Sequence, residues 1–105
     1  MTERPIDFNG LDSAVYGPVR LGVLTALQMD GALDFTTLKK RLDVSDGALG
    51  LHLSKLQEIA YVACHKAFVG RRPKSTYTIT AKGKRALANY LDAMQELINV
   101  LGKTK

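Results

Sequence analysis

The sequence predicts an α+β domain, mainly α, built from four helices and one two-stranded β-hairpin in a chain of 105 residues. Three observations favour this fold class. Apolar residues recur at helical spacing over most of the chain, residues 61–80 change to the composition and period of strands, and the last helix is long for so small a body. The length is that of one domain, so residues 1–105 are expected to form a single unit.

The N-terminal part is expected to be an irregular arm, residues 1–17, followed by the first helix. Pro18 suits the first helical turn, where its missing N–H has no partner to lose. From Val19 to Leu27 the apolar residues then follow helical spacing, and Gly31 stops the helix. The compact core is expected over residues 18–80.

Two further helices are predicted over residues 36–42 and about 46–59, joined by a tight turn at residues 43–45. Ser45 is placed to cap the third helix. The residues competent to cap the second helix are Asp34, Thr36 and Thr37. The apolar stripe of the third helix consists of Leu49, Leu53 and Leu56.

A basic β-hairpin is predicted next. Residues 61–68 and 75–80 are rich in β-branched and aromatic residues and indicate paired strands. Between them, Gly70 and Pro73 mark a loop whose tip carries three positive charges. A basic hairpin tip, called the wing below, is therefore expected at about residues 69–75.

The last helix is predicted over residues 81–101, capped by Thr80 and ended by Gly102. Its apolar residues step by 4, 3, 4 and 3, which is a heptad seam. The seam either packs on its own domain or joins a second copy, and because other residues can fill the core and the helix reaches about 30 Å, we predict a homodimer. The predicted interface consists of Leu87, Tyr90, Leu91, Met94, Leu97, Ile98 and Leu101.

The excess positive charge lies in one continuous third of the chain. The net charge is +5, and residues 1–54 contribute −2, from five basic and seven acidic residues. Residues 55–85 contribute +7, from eight basic residues against Glu58 alone, and residues 86–105 sum to zero. This clustering is typical of a surface that contacts a polyanion, although a solvated basic face gives the same pattern.

Other classes of function lack their signals. The single cysteine, Cys64, forms no internal disulfide and is expected to be a small buried residue rather than a redox switch. Cys64 and His65 point to opposite faces of a strand, so no metal or other cofactor is predicted. No nucleophile–base set or glycine-rich phosphate loop indicates an enzyme. Without a membrane-length apolar run or a signal peptide, no membrane partner is expected, and the predicted location is cytoplasmic.

Two short helices joined by a tight turn and followed by a hairpin form a winged helix-turn-helix. In this arrangement the second helix of the pair fits the DNA major groove, and the basic hairpin, or wing, reaches the backbone or minor groove. The sequence resembles the single-domain winged-helix transcriptional regulators related to the MarR and ArsR families. The resemblance covers about residues 18–85, in the segments Val19-Arg-Leu-Gly-Val-Leu-Thr-Ala-Leu27, Phe35-Thr-Thr-Leu-Lys39, Val44-Ser-Asp-Gly-Ala-Leu49, His52-Leu-Ser-Lys-Leu56, Ala60-Tyr-Val62, Gly70-Arg-Arg-Pro-Lys74 and Tyr77-Thr-Ile-Thr-Ala-Lys-Gly83.

The resemblance implies double-stranded DNA as the partner, a homodimer, and a wing that contacts DNA through Arg71, Arg72 and Lys74. Relatives often place residues such as Thr36 and Thr37 against phosphate. The candidate DNA-binding residues are Thr36, Thr37, Ser45, Asp46, Gly47, Gly50, Leu51, His52, Ser54, Lys55, Arg71, Arg72 and Lys74. Ser45 is first a helix cap, and His52 is expected to brace the helix from a half-buried position rather than to read a base. The basic residues Lys82, Lys84 and Arg85 either solvate the last helix or contact phosphate.

The outward face of the third helix departs from the family pattern. Relatives carry small polar and basic residues before His52, whereas this chain has Gly50 and Leu51. No Arg, Asn or Gln on this face can make the bidentate contacts that read guanine or adenine. Leu51 suits a thymine methyl group, and Ser54 a base edge or a phosphate. We therefore expect affinity to come mainly from the wing and backbone contacts, and sequence preference to come from DNA shape.

The sequence thus predicts a homodimeric transcriptional regulator, with repression as the favoured role. The helix over about residues 46–59 enters the major groove, and two-fold symmetry calls for a pseudo-palindromic site with half-sites about 34–36 Å apart. The alternative is a winged-helix adaptor for another protein, which predicts a neutral wing and an exposed apolar patch on the third helix. RNA binding is a weaker alternative, since no aromatic stacking platform is evident. No residue identifies a small-molecule effector.

Overall fold

The computed structural model describes residues 13–103, and its elements follow the predicted order with one added strand. The helices are α1 (Pro18–Asp30), α2 (Phe35–Leu42), α3 (Asp46–Glu58) and α4 (Ala81–Lys103). The strands are β1 (Leu33–Asp34), β2 (Val62–Val69) and β3 (Arg72–Ile79). The predicted winged-helix class, mainly α with a long C-terminal helix, is confirmed. Most of the predicted arm, residues 1–12, lies outside the described part of the chain.

The strands form one antiparallel sheet in the order β1-β3-β2, where the sequence predicted a two-stranded hairpin. The third strand is β1, which pairs Leu33 with Tyr77 and Asp34 with Thr76. Two residues are too few to show the alternation by which a strand is recognised in a sequence. This strand ties the start of α2 to the wing.

The wing is a longer and tighter hairpin than predicted. β2 and β3 remain paired out to Val69 and Arg72, so the loop predicted over residues 69–74 is wrong and the turn contains only Gly70 and Arg71. Gly70 has a φ of +65°, the positive value that tight hairpin turns favour at their first central residue. Pro73 lies within β3 opposite Phe68, beyond the reach of β1, so β3 is open on one side there and proline is tolerated.

The core sits between α1, α3, the sheet and the first half of α4. Val15, which the sequence assigned to the arm, is fully buried in it. The other large buried apolar residues are Val23, Leu24, Leu27, Leu38, Leu49, Leu53, Leu56, Val62, Tyr77, Leu87 and Tyr90. Two seam residues, Leu87 and Tyr90, therefore pack within their own domain, and their side chains are only 2% and 4% exposed.

The caps of α2 and α4 fix how both helices join the sheet. Asp34 is the N-cap of α2, and its carboxylate accepts the Thr37 N–H at 2.8 Å, so α2 begins one residue before the predicted Thr36. Thr80 caps α4 as predicted, because its hydroxyl accepts the Gly83 N–H at 2.9 Å while donating to the Ala60 carbonyl. The prediction that Gly102 ends α4 is wrong, since the helix continues to Lys103.

Candidate nucleic-acid interface

The helix-turn-helix is held together by contacts across its turn. Asp43 ends α2 in the left-handed conformation with a φ of +51°. Ser45 then caps α3, with its hydroxyl accepting the Ala48 N–H at 3.1 Å, as predicted. The Lys39 ammonium lies 2.9 Å from the Asp46 carboxylate, so it links α2 to the first turn of α3. The structure thus gives Asp46 a role in positioning the two helices, whereas its contact with DNA stays a prediction.

The outward face of α3 is nearly smooth. Leu51 is 59% exposed, and Gly47, Ser54 and Lys55 are exposed beside it. A methyl group added at Gly47 or at the half-buried Gly50 would meet no atom of the described residues within 4 Å beyond its own helix backbone and chain neighbours. Packing within the described chain therefore does not require glycine at either position, although each lowers helix stability by about 1 kcal/mol relative to alanine.

His52 braces α3 against α1, as its half-buried position in the sequence pattern predicted. The Arg20 side chain donates its Nε–H to Nδ1 of His52 at 3.1 Å, and a second Arg20 nitrogen donates to the Ser13 carbonyl at 3.4 Å. Sequence reasoning missed Arg20, which lies 32 residues away in the chain and carries no local signal of this contact.

The wing presents its positive charges at the end of the hairpin. Arg71, Arg72 and Lys74 are all exposed, as the binding prediction requires. The Lys74 ammonium lies 3.5 Å from an oxygen of Asp34, the cap of α2, so this lysine is partly neutralised. Among the described residues, no carboxylate pairs with Arg71 or Arg72, and these two arginines carry the unopposed charge of the tip.

The wing and the start of α2 face one another across an open groove of about 390 Å³. The groove brings Thr36, at the exposed start of α2, together with Arg72 and Lys74 of the wing. Thr37 is half-buried and is not among the residues that line this groove, and its backbone N–H donates to the Asp34 carboxylate of the cap. Hydrogen bonds donated by Thr37, and to a smaller extent the positive charge of Lys74, hold the pKa of the Asp34 carboxyl below its ordinary value. This cap is therefore an anion at neutral pH.

The wing also carries exposed apolar side chains, which sequence reasoning missed. Phe68 is 76% exposed and Val69 is 63% exposed, immediately before the turn. Phe68 was predicted to end the first strand of the hairpin and Val69 to begin the loop, and neither prediction included an exposed apolar tip. The relevant signal was length, because β2 is eight residues long and its exposure begins at His65, where the hairpin extends beyond the body of the domain.

The heptad seam of α4 divides into two parts. Its first part, with Leu87 and Tyr90, is buried within the domain, and Met94 packs partly against the core. Its later part exposes Leu91, Ile98 and Leu101, which are separated by seven and three residues and lie on one side of the helix. If the predicted seam joins a second copy, it does so through this exposed distal part.

Within residues 13–103, no three His, Cys, Asp or Glu side chains lie close enough to hold a metal ion. Cys64 is half-buried opposite Tyr77 in the sheet, and burial together with this neighbour raises the pKa of Tyr77. None of the described helices combines the length and the apolar character needed to cross a membrane.

Comparison with known proteins gives consistent matches. Residues 19–98 match a family model described as a winged helix DNA-binding domain. An uncharacterized protein of Methanocaldococcus jannaschii is 35% identical over 79 residues, which are 75% of this chain and 86% of that protein. A solved transcriptional regulator homologue from Pyrococcus horikoshii is 27% identical with a TM-score of 0.79, over 88% of this chain and 92% of that one. A MarR-family regulator from Enterococcus faecalis shares the fold, with a TM-score of 0.69 at 22% identity, over 87% of this chain and 81% of that one.

Proposed function

Because the chain belongs to the winged helix DNA-binding domain family, we propose that it is a transcriptional regulator that binds double-stranded DNA through α3 and the wing. The observation that carries the proposal is the pair of exposed arginines, Arg71 and Arg72, which no carboxylate among the described residues opposes, on the hairpin beside the helix-turn-helix. Positive charge placed beside an exposed helix is the arrangement that neutralises phosphates while that helix lies in a groove.

The wing and α2 supply the backbone contacts in this proposal. Thr36 and Arg72 line one groove with Asp34, whose negative charge Lys74 offsets, so a phosphate held by Thr36 and Arg72 meets a hydroxyl donor and a guanidinium together. Direct reading of bases by α3 is limited, because its exposed face offers Gly47, Leu51 and Ser54 in place of bidentate donors. Preference among sequences then comes mainly from how readily the DNA adopts the required shape.

The test is fluorescence anisotropy with duplex DNA from the region upstream of the protein's own gene, with a scrambled duplex of the same composition as the control. Tighter binding to the upstream duplex is expected. Equal binding to both duplexes would contradict a site-selective regulator and favour an architectural role. Absence of binding to either duplex at low salt would overturn the DNA-binding proposal and favour an adaptor that uses the exposed Leu51.

We further propose that two copies assemble through the distal part of α4, with Leu91, Ile98 and Leu101 in the interface. Three exposed apolar side chains on one side of a projecting helix match one half of a coiled-coil seam. A dimer joined there presents two α3 helices to successive half-sites. Bound at a promoter, such a dimer excludes other proteins from the DNA, so we propose repression as its effect.

Sedimentation velocity tests the dimer. Ile98→Glu buries a carboxylate in the proposed seam, so it is expected to raise the dimer dissociation constant by at least about tenfold. Asn89→Glu is the matched control, because residue 89 is exposed on the opposite side of α4. Equal dissociation constants for the two variants would contradict the distal seam as the interface.

A further inference from the structure

The end of the wing combines exposed apolar side chains with the positive charges of Arg71 and Arg72. Phe68 and Pro73 are paired across the two strands, so their side chains lie on the same face of the hairpin. Val69 and Arg72 form the next pair, on the opposite face. Both faces of the tip are therefore partly apolar, with Phe68 the most exposed large apolar side chain among the described residues.

The position of Phe68 is not explained by folding of the described chain. The same face of β2 carries the buried Val62 six residues earlier, whereas at Phe68 the strand extends beyond the core and the side chain is exposed. Six residues of strand span about 20 Å, so the ring is held well away from the body of the domain. A benzyl ring there contributes little to the core, and it lies near the end of the hairpin that carries Arg71 and, on the opposite face, Arg72.

We propose, building on the DNA-binding function, that Phe68 is a wedge that inserts from the minor groove between two base pairs and bends the duplex. Arg71 and Arg72 bind the phosphates on either side of the groove, and their attraction holds the ring against the base edges. Apolar side chains placed in this way unstack a base step and kink DNA by about 20–90° toward the major groove.

The wedge adds sequence preference to the limited base reading that α3 supplies. Steps of a pyrimidine followed by a purine, above all TA, unstack at the lowest cost, so the inserted ring selects DNA by its deformability. The partner is thus an A·T-rich duplex with a flexible step at the position of the wing. In a dimer, each wing would select one such step.

The experiment uses the full chain and a duplex of about 30 base pairs with TA steps, labelled with a donor and an acceptor dye at its ends. Binding is followed by anisotropy and bending by energy transfer. Wild-type protein is expected to bind and raise the energy transfer. Phe68→Ala is expected to weaken binding roughly tenfold, as loss of one base–aromatic contact does, and at saturation to leave the energy transfer near that of free DNA.

Two further variants separate the outcomes. Phe68→Leu is expected to keep much of the bending, because leucine also serves as a wedge. Met29→Ala removes an equally exposed apolar side chain on α1 and is expected to change neither signal. If the wild-type protein binds but Phe68→Ala bends the duplex equally at saturation, the wedge is refuted and the DNA-binding function stands. If the wild-type protein binds no duplex, both proposals fail.

Discussion

Replacement of Gly83 by alanine tests how α4 is docked on the domain. Gly83 is buried in the first turn of α4, directly against the backbone at Tyr61. A Cβ atom at this position would lie 2.2 Å from the Tyr61 carbonyl oxygen and 2.9 Å from Cγ1 of Ile79. The oxygen cannot simply move aside, because it accepts the Thr80 N–H at 3.0 Å in the junction that starts α4.

The expected cost of Gly83→Ala follows from these contacts. Overpacking of a core typically costs about 1–3 kcal/mol, and contact with backbone rather than a flexible side chain places this case at the upper end. Weakening the Thr80 hydrogen bond adds about 1 kcal/mol, and the better helix propensity of alanine returns about 1 kcal/mol. The free energy of unfolding should therefore fall by about 3 kcal/mol, and the melting temperature by roughly 10–20 °C.

Thermal and urea unfolding, followed by circular dichroism, measure this change. Gly50→Ala is the matched control, because a methyl group there meets no atom within 4 Å and should stabilise α3 by about 1 kcal/mol. Opposite signs for the two variants are expected. A Gly83→Ala protein with the same melting temperature as the wild type would refute the close approach of α4 to the Tyr61 carbonyl.

Smaller effects on stability are expected at Asp34, whose side chain caps α2, and at Ala60, whose backbone φ is positive. Asp34→Ala should cost about 1 kcal/mol in urea unfolding at neutral pH. Folding lowers the pKa of Asp34, so the stability that its carboxylate contributes is complete above the ordinary value of 3.8 and is lost as the pH falls through the folded value. The unfolding free energies of the wild type and Asp34→Ala should therefore converge in acid. A difference that stays constant with pH would contradict the role of the ionised cap. Ala60 has a φ of +64°, so Ala60→Gly should raise the unfolding free energy by about 1 kcal/mol, and a lower urea midpoint would contradict strain there.

The helices were predictable because their signals are local. Leucines at helical spacing and a serine cap fix the extent of α3 within one residue, and Pro18 and Gly31 bound α1 in the same way. The wing was less well predicted, since Pro73 indicated a loop but lies in a strand. Only the sheet order, which no local pattern contains, shows that β3 is open on one side at this proline.

In the candidate site, too, features with a local sequence signal were predicted and features set by packing between distant segments were not. That Arg71 and Arg72 lie at an exposed tip follows from a basic segment between two strands. The exposure of Phe68 depends on where the body of the domain ends, which no local pattern shows. The hydrogen bond from Arg20 to His52 depends on how α1 packs against α3. The seam of α4 shows the same limit, because heptad spacing cannot distinguish Leu87, which is buried in its own domain, from Ile98, which is exposed.

The salt dependence of DNA binding by an Arg71→Ala/Arg72→Ala variant tests most directly whether the wing contacts phosphates. The logarithm of the binding constant falls with the logarithm of salt concentration by about 0.9 per neutralised phosphate, so loss of two contacts should make the slope shallower by about 2. Arg41→Ala is the control, because this arginine already pairs with Asp30. The account predicts weaker binding and a shallower slope for the wing variant alone; wild-type affinity and slope in that variant would contradict it.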